Sequence, residues 1–353
     1  MPTQNEVYAV EGETAIQTGR IEGAPPDDLQ TIEYFQGIYQ SLKCELAKVI
    51  VGQEDVIDEI LIAIFTRNHA LLMGVPGLAK TLLISTLAKT LQLSFRRIQF
   101  TPDLMPSDIT GTEVIYTDPQ TGAKEFKFLP GPLFSNIVLA DEINRTPPKT
   151  QAAMLEAMQE RSVTVGGKTH KLPEPFFVLA TQNPLEQEGT YPLPEAQLDR
   201  FLFLINVDYP SYEEELQVMK RGTSGEREEP QAVMGTEHIL YLQEAVRRIP
   251  VADHVYHYAE KIVRATRPRQ SEALDYCRQF LSFGAGPRAS LGLVMAAKAH
   301  ALLRGQVYVG CENVAAVAKG VMRHRIAVNF TAQSEGITSD LVVQKVLESI
   351  PAQ

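Results

Sequence analysis

Gly74-Val75-Pro76-Gly77-Leu78-Ala79-Lys80-Thr81 is the stretch that decides how this chain folds. It follows Ala70-Leu71-Leu72-Met73, an apolar run with the character of a buried strand. It precedes Leu82-Leu83-Ile84-Ser85-Thr86-Leu87-Ala88, which has helical spacing. Strand, glycine loop and helix in that order form the context in which a phosphate-binding loop works. The glycines let backbone N–H groups turn inward, and the helix start adds its positive dipole end to the same spot. Lys80 is then placed to reach the β- and γ-phosphates of a nucleotide, and the Thr81 hydroxyl to hold Mg²⁺. The strict pattern has glycine where this chain has Ala79. Alanine is tolerable there if the backbone is already helical. Gly74, Val75, Pro76, Gly77, Leu78, Ala79, Lys80, Thr81 and Leu82 are the expected ATP-contacting residues.

The chain has 353 residues, enough for two domains and a sizeable core. Its hydrophobic fraction, 44%, is ordinary for a globular protein. No apolar run approaches the roughly 20 residues that a membrane helix needs. The N-terminus lacks a basic region followed by an apolar stretch, so no signal peptide is expected. Cys44, Cys277 and Cys311 are far apart and odd in number, which argues against a disulfide framework and suits a reducing cytoplasm. A net charge of −10 disfavours general affinity for nucleic acid and leaves room only for a local basic patch.

Residues 1–29 are polar and acidic and read as a flexible tail. The spacing of Phe35, Ile38, Leu42, Leu46 and Val49 predicts a helix, and Val56, Ile60, Ile64 and Phe65 a second. Gly52 and Gln53, between them, are placed with the nucleotide-binding residues. Four more strands are expected at 95–100, 137–140, 176–180 and 201–207. Their alternation with helical segments means a mainly parallel sheet covered on both faces. Two hairpins interrupt it, Glu113–Thr117 with Lys124–Phe128, and Arg161–Val165 with Lys168–Leu172 around Gly166-Gly167. From about residue 212 the strand signals stop and helices take over. The expected division is an α/β nucleotide-binding domain over 30–210, a linker over 211–232 and a smaller all-α lid over 233–353.

Three further segments carry candidate chemistry. Asn136–Glu142 is a buried strand ending in two acids, at the sheet edge where ligands bind. Asp141 would hold Mg²⁺ and Glu142 would polarise the attacking water. The bland alternative, a solvated acidic pair, loses ground to the phosphate loop upstream. Phe177–Pro184 is another strand with a polar end, whose Asn183 can hydrogen-bond both γ-phosphate and water, or simply form an Asn-Pro turn. Arg200, in Leu198-Asp199-Arg200-Phe201, is either an arginine finger given to a neighbouring subunit or half of an ion pair with Asp199 or Glu195. Arg288 opens a helix in the second domain and would report the nucleotide state to it. His254 and His257 lack a third ligand nearby in sequence and read as ordinary helix positions.

Together these elements resemble an AAA+ ATPase of the MoxR family over about residues 32–335. The resemblance rests on Gly74–Thr81, Phe128–Phe134, Ala140–Arg145, Ala180–Pro184 and Leu198–Phe201. Ala79 fits that family. The resemblance implies a P-loop AAA+ core with a parallel five-stranded sheet, hairpin insertions and an all-α lid. It implies a ring, a hexamer, with ATP between subunits, Asn183 as sensor 1, Arg200 as the finger and Arg288 as sensor 2, in cis or on a neighbour's nucleotide. It further implies chaperone-like remodelling of clients, often with a partner carrying a von Willebrand factor A domain. A nucleotide-gated scaffold with little turnover is the alternative, and a DNA-acting motor a more distant one. Glu142, Asn183 and Arg200 together favour hydrolysis, and the acidic charge disfavours DNA.

Overall fold

The computed structural model describes residues 28–117, 123–184, 189–224 and 228–352. The expected tail lies outside these residues up to 27, as do the turn of the first hairpin at 118–122 and residues 225–227 of the expected linker. The strands in chain order are β1 (Ala70–Met73), β2 (Phe95–Gln99), β3 (Gly111–Thr117), β4 (Lys124–Pro130) and β5 (Ile137–Asp141). They continue with β6 (Ser162–Val165), β7 (Lys168–Lys171), β8 (Phe177–Gln182) and β9 (Phe203–Asn206).

Five of them form one parallel sheet in the order β2-β5-β8-β1-β9. Side chains alternate across its two faces, as the pleat requires. Leu71, Val138, Ala140, Val178 and Ala180 point into a core shared with the helix Pro148–Glu160. Ala70, Leu72, Ile137, Leu139, Phe177 and Leu179 point into the other, with the helices Glu54–Phe65 and Lys80–Thr90. A strand buried on both faces has no polar alternation, so these segments read as continuous apolar runs. Within β1, β5 and β8 polar residues stand only at the carboxyl ends of β5 (Asp141) and β8 (Thr181 and Gln182), beside the glycine loop that follows β1.

The hairpins stand apart from this sheet. β3 pairs with β4 from Gly111↔Pro130 to Thr117↔Lys124, and β6 with β7 around Gly166 and Gly167. Those two glycines have φ of 58° and 79°, the left-handed pair a tight hairpin turn demands. The Phe128 ring of the first hairpin stacks on His170 of the second, centroids 4.0 Å apart.

The C-terminal part is helical, with Thr236–Arg248, Asp253–Ala265, Pro287–Leu303, Cys311–Met322 and Ser339–Ser349 as its longer helices. Their apolar faces join one continuous core with Phe35, Leu42 and Leu46 of the first helix, Asp28–Ala47. Strand signals do not stop entirely at 212. A ribbon, β10 (Leu281–Phe283) with β11 (Ala327–Val328), lies among the lid helices. Three and two residues are too few to leave a period in the sequence. Tyr212–Thr223, within the stretch assigned to the linker, is a surface helix started by a Ser211–Glu214 capping box, in agreement with the helical reading of Glu213–Arg221.

Candidate active site

The cradle sits at the carboxyl end of β1. An added Cβ on Gly74 would come 2.7 Å from the Val207 carbonyl oxygen, so only glycine fits. Gly77 has φ of 90°, which glycine adopts without strain. The helix begins at Lys80, and Ala79 is its N-cap in the left-handed region, φ 54° and ψ 21°. The condition under which alanine is tolerable there, a backbone that is already helical, is therefore not met. Alanine carries about 1–2 kcal/mol of strain in that conformation. No side chain caps this helix, and its first turn holds no acid. Its leading N–H groups are left to an anion.

Lys80 Nζ donates to the Gly74 carbonyl at 2.6 Å, which holds it over the loop. Burial pulls its pKa down, and Asp141 and Glu142 oppose that shift. Pro76 to Thr81, Asp141, Glu142, Thr181 and Asn183 line a cleft of about 350 Å³, with Arg97 at its side. The Thr181 hydroxyl donates to Asp141 Oδ1 at 2.6 Å and accepts from the Glu142 N–H at 2.9 Å, so one buried side chain aligns both acids. Glu142 has φ of 57°, a left-handed conformation rare outside glycine and typical of functional sites. Gln99 Nε2 at 2.7 Å and Arg145 Nη1 at 2.8 Å both donate to Glu142 Oε2. Arg97 donates through Nη2 at 2.6 Å and Nε at 3.0 Å to Asp141 Oδ2.

Not every expected residue joins this cleft. Gly52 and Gln53 lie on the loop before Glu54–Phe65, where Gly52 abuts the Glu214 side chain and not the cleft lining. Leu82 is largely exposed, and Val75 packs against the core. Arg200 and Arg288 are also outside the lining. Asp199 binds lid arginines, Arg325 Nε at 2.8 Å and Arg288 Nη1 at 3.5 Å. Among the described residues Arg200 forms no ion pair, so the alternative of a pair with Asp199 or Glu195 is not realised.

Comparison with known proteins agrees with this geometry. The ATPase family associated with various cellular activities (AAA) matches residues 69–203, and the AAA lid domain matches residues 275–346. Chaperone MoxR1 of Mycobacterium tuberculosis is 44% identical over 87% of this chain and 80% of its own length. The chain belongs to the MoxR family of AAA ATPases. Protein MoxR of Methylorubrum extorquens is 31% identical over 87% of this chain and 93% of its own. A solved structure from Cytophaga hutchinsonii superposes with a TM-score of 0.84 at 41% identity, covering 91% of this chain and 97% of that one. The fold is therefore that of a MoxR-type ATPase, and the chain is an ATP-hydrolysing enzyme.

Four residues of this ATPase site escaped the reading of the sequence: Arg97, Gln99, Arg145 and Thr181. Gln99 pairs in register with Asp141, and Arg97 lies two residues back on the same face of β2. Two polar residues in a strand next to the acid-bearing one were the available signal. Arg145 is three residues after Glu142 and meets it through a short 3₁₀ turn, Ile143–Arg145. Among the described residues no helix is long and apolar enough to cross a membrane, and no group of three His, Cys, Asp or Glu side chains could hold a metal ion.

Proposed function

We propose that this chain is one subunit of a cytoplasmic ATP-driven ring, a hexamer, that remodels or matures partner proteins. The observation that carries the ATPase chemistry is the convergence of Lys80, Thr81, Asp141, Glu142 and Asn183 on one cleft at the sheet's carboxyl edge. Lys80 neutralises the β- and γ-phosphates, and the uncapped helix start takes phosphate oxygens. The Thr81 hydroxyl and the Asp141 carboxylate fit Mg²⁺, which takes one or two protein oxygens and leaves its other positions to phosphates and water. The ion, when bound, would neutralise charge that develops on the phosphates. Asp141 must first be released by Arg97. Glu142 keeps Oε1 for the attacking water while Gln99 and Arg145 hold Oε2. Asn183 orients the γ-phosphate and that water.

Among the described residues Arg200 has no ion pair, and it stands outside its own subunit's cleft, which favours action on a neighbour's nucleotide. Such a finger contributes about 10³–10⁵ in rate. Arg288, facing Asp199, links that segment to the lid. The remodelling role, and a partner with a von Willebrand factor A domain, follow from the family and from a relative named a chaperone. Among the described residues Cys44, Cys277 and Cys311 form no disulfide, which fits a reducing compartment. Light scattering with and without Mg²⁺-ATP tests the ring. The native chain is expected to assemble with nucleotide, and Lys80→Ala to lose both nucleotide affinity and assembly. A monomer at all concentrations with ATP contradicts the ring.

A further inference from the structure

One lid side chain grips the backbone on both sides of Arg200. Arg325 follows the lid helix Cys311–Met322 and is buried. Its Nε donates to Asp199 Oδ1 at 2.8 Å. Its Nη2 donates to the Phe201 carbonyl at 2.6 Å and the Asp199 carbonyl at 3.3 Å. Its Nη1 donates to the Leu202 carbonyl at 2.9 Å and to the Val321 carbonyl. A guanidinium has five N–H donors, and all are used here. Four of the five acceptors belong to the segment 199–202. The neighbouring His324 adds a fifth tie, its Nε2 to the Phe201 carbonyl at 3.0 Å. A carbonyl only accepts, so His324 carries its proton on Nε2. Arg200 itself is half-exposed between these anchored carbonyls, at the end of a short turn in which its N–H reaches the Gln197 carbonyl.

A buried guanidinium is a poor device for stability alone, because desolvation offsets most of what its contacts return. Well-packed apolar residues would hold lid against core as firmly. What a fork supplies, and an apolar side chain does not, is fixed geometry at Asp199, Phe201 and Leu202, the three residues that flank Arg200. We propose that Arg325 is a positioning residue for Arg200, tying the finger-bearing segment to the lid so that lid orientation sets where the Arg200 guanidinium stands. This rests on the assignment of Arg200 as the finger. Lid movement then reaches the site that Arg200 serves through the backbone of residues 199–202. The cradle of the same subunit is built from other residues, so nucleotide binding there is spared.

The test compares Arg325→Lys and Arg325→Met with Arg200→Ala, singly and combined, in the full chain. Lysine has three donors in place of five and no planar fork, so it cannot hold the segment. Turnover is expected to fall at least about tenfold in Arg325→Lys, while ATP affinity stays within about threefold, the pattern of a lost transition-state contact. Adding Arg325→Lys to Arg200→Ala is expected to cost nothing more, because the two act as one unit. A merely structural role gives the opposite pattern, with multiplied losses in the double variant or a parallel loss of ATP affinity, and either result overturns the proposal. Native turnover in Arg325→Lys overturns it as well. If Arg325→Met fails to fold, Arg325→Lys decides alone. Native turnover in Arg200→Ala removes the finger assignment and this proposal with it. An inactive Arg200→Ala beside a native-like Arg325→Lys removes the positioning role only.

Discussion

Replacing Glu142 with glutamine removes one charge and almost no volume. In the native protein Glu142 Oε2 accepts from Gln99 and Arg145, at 2.7 and 2.8 Å. The glutamine amide has one oxygen and one NH₂. Its oxygen takes the Oε2 position and keeps both hydrogen bonds, which turns the NH₂ towards the place of the attacking water. An NH₂ cannot accept a proton from that water. The ion pair with Arg145 is also lost, but its side chains are 41% and 20% exposed. A pair so exposed contributes at most about 1 kcal/mol, or roughly fivefold in any equilibrium. Loss of a general base costs at least about 10²-fold, or ~2.7 kcal/mol in the barrier. The two effects therefore separate by size. Steady-state ATPase assays should find turnover reduced at least about 10²-fold, with calorimetry finding Mg²⁺-ATP still bound and thermal stability nearly unchanged. Turnover within about fivefold of native means that only the ion pair was lost, and that would falsify the assignment of Glu142 as base.

Two more perturbations probe features seen only in three dimensions. Arg97→Met frees Asp141 from a competing cation, so the Mg²⁺ concentration for half-maximal turnover should fall, by up to about fivefold for a pair this exposed. A rise in that concentration means that Arg97 helps to hold the nucleotide and does not compete with the ion. Glu59 wedges its carboxylate against Gly320 of the lid helix. Burial raises its pKa from 4.5 to about 7, with Asp55, Asp340 and Asp58 adding and Arg323 opposing. The fold thus binds this proton more tightly than the unfolded chain does, and the stability contribution is lost as pH rises from 4.5 to about 7. In denaturant titrations Glu59→Gln should match the native chain near pH 4.5 and exceed it above pH 7, by on the order of 2–3 kcal/mol. A difference that is flat with pH contradicts the assignment.

The centre of the sheet was legible because β1, β5 and β8 are short apolar runs buried on both faces, and β5 and β8 end in polar residues. Ala70–Met73 has the limits its apolar run predicts, and Asp141, Glu142 and Asn183 were singled out because polar groups after such a run stand out; the fold brings all three to one cleft. The two hairpins were legible through their alternation and, in the second, through Gly166-Gly167. What the sequence hid depends on register or on long separation. Gln99 and Arg97 matter only because β2 pairs with β5, and a strand order is not written in either strand. Arg325 lies 126 residues from Asp199, and nothing local marks their meeting. Ala79 shows a different limit. Its residue type was readable, but its left-handed backbone follows from the loop closing on itself, which only the folded geometry reveals.

If catalysis is shared between subunits, mixing Arg200→Ala with native chain will show it. At fixed total protein in Mg²⁺-ATP, the fraction of variant is raised and ATPase activity followed. Each variant subunit keeps its own cradle and should disable a neighbour's site. Shared catalysis gives inhibition steeper than the variant's fraction, together with activity per subunit that rises with protein concentration as rings form. A strictly proportional loss, with activity per subunit independent of concentration, contradicts it and leaves an ATPase whose subunits work alone.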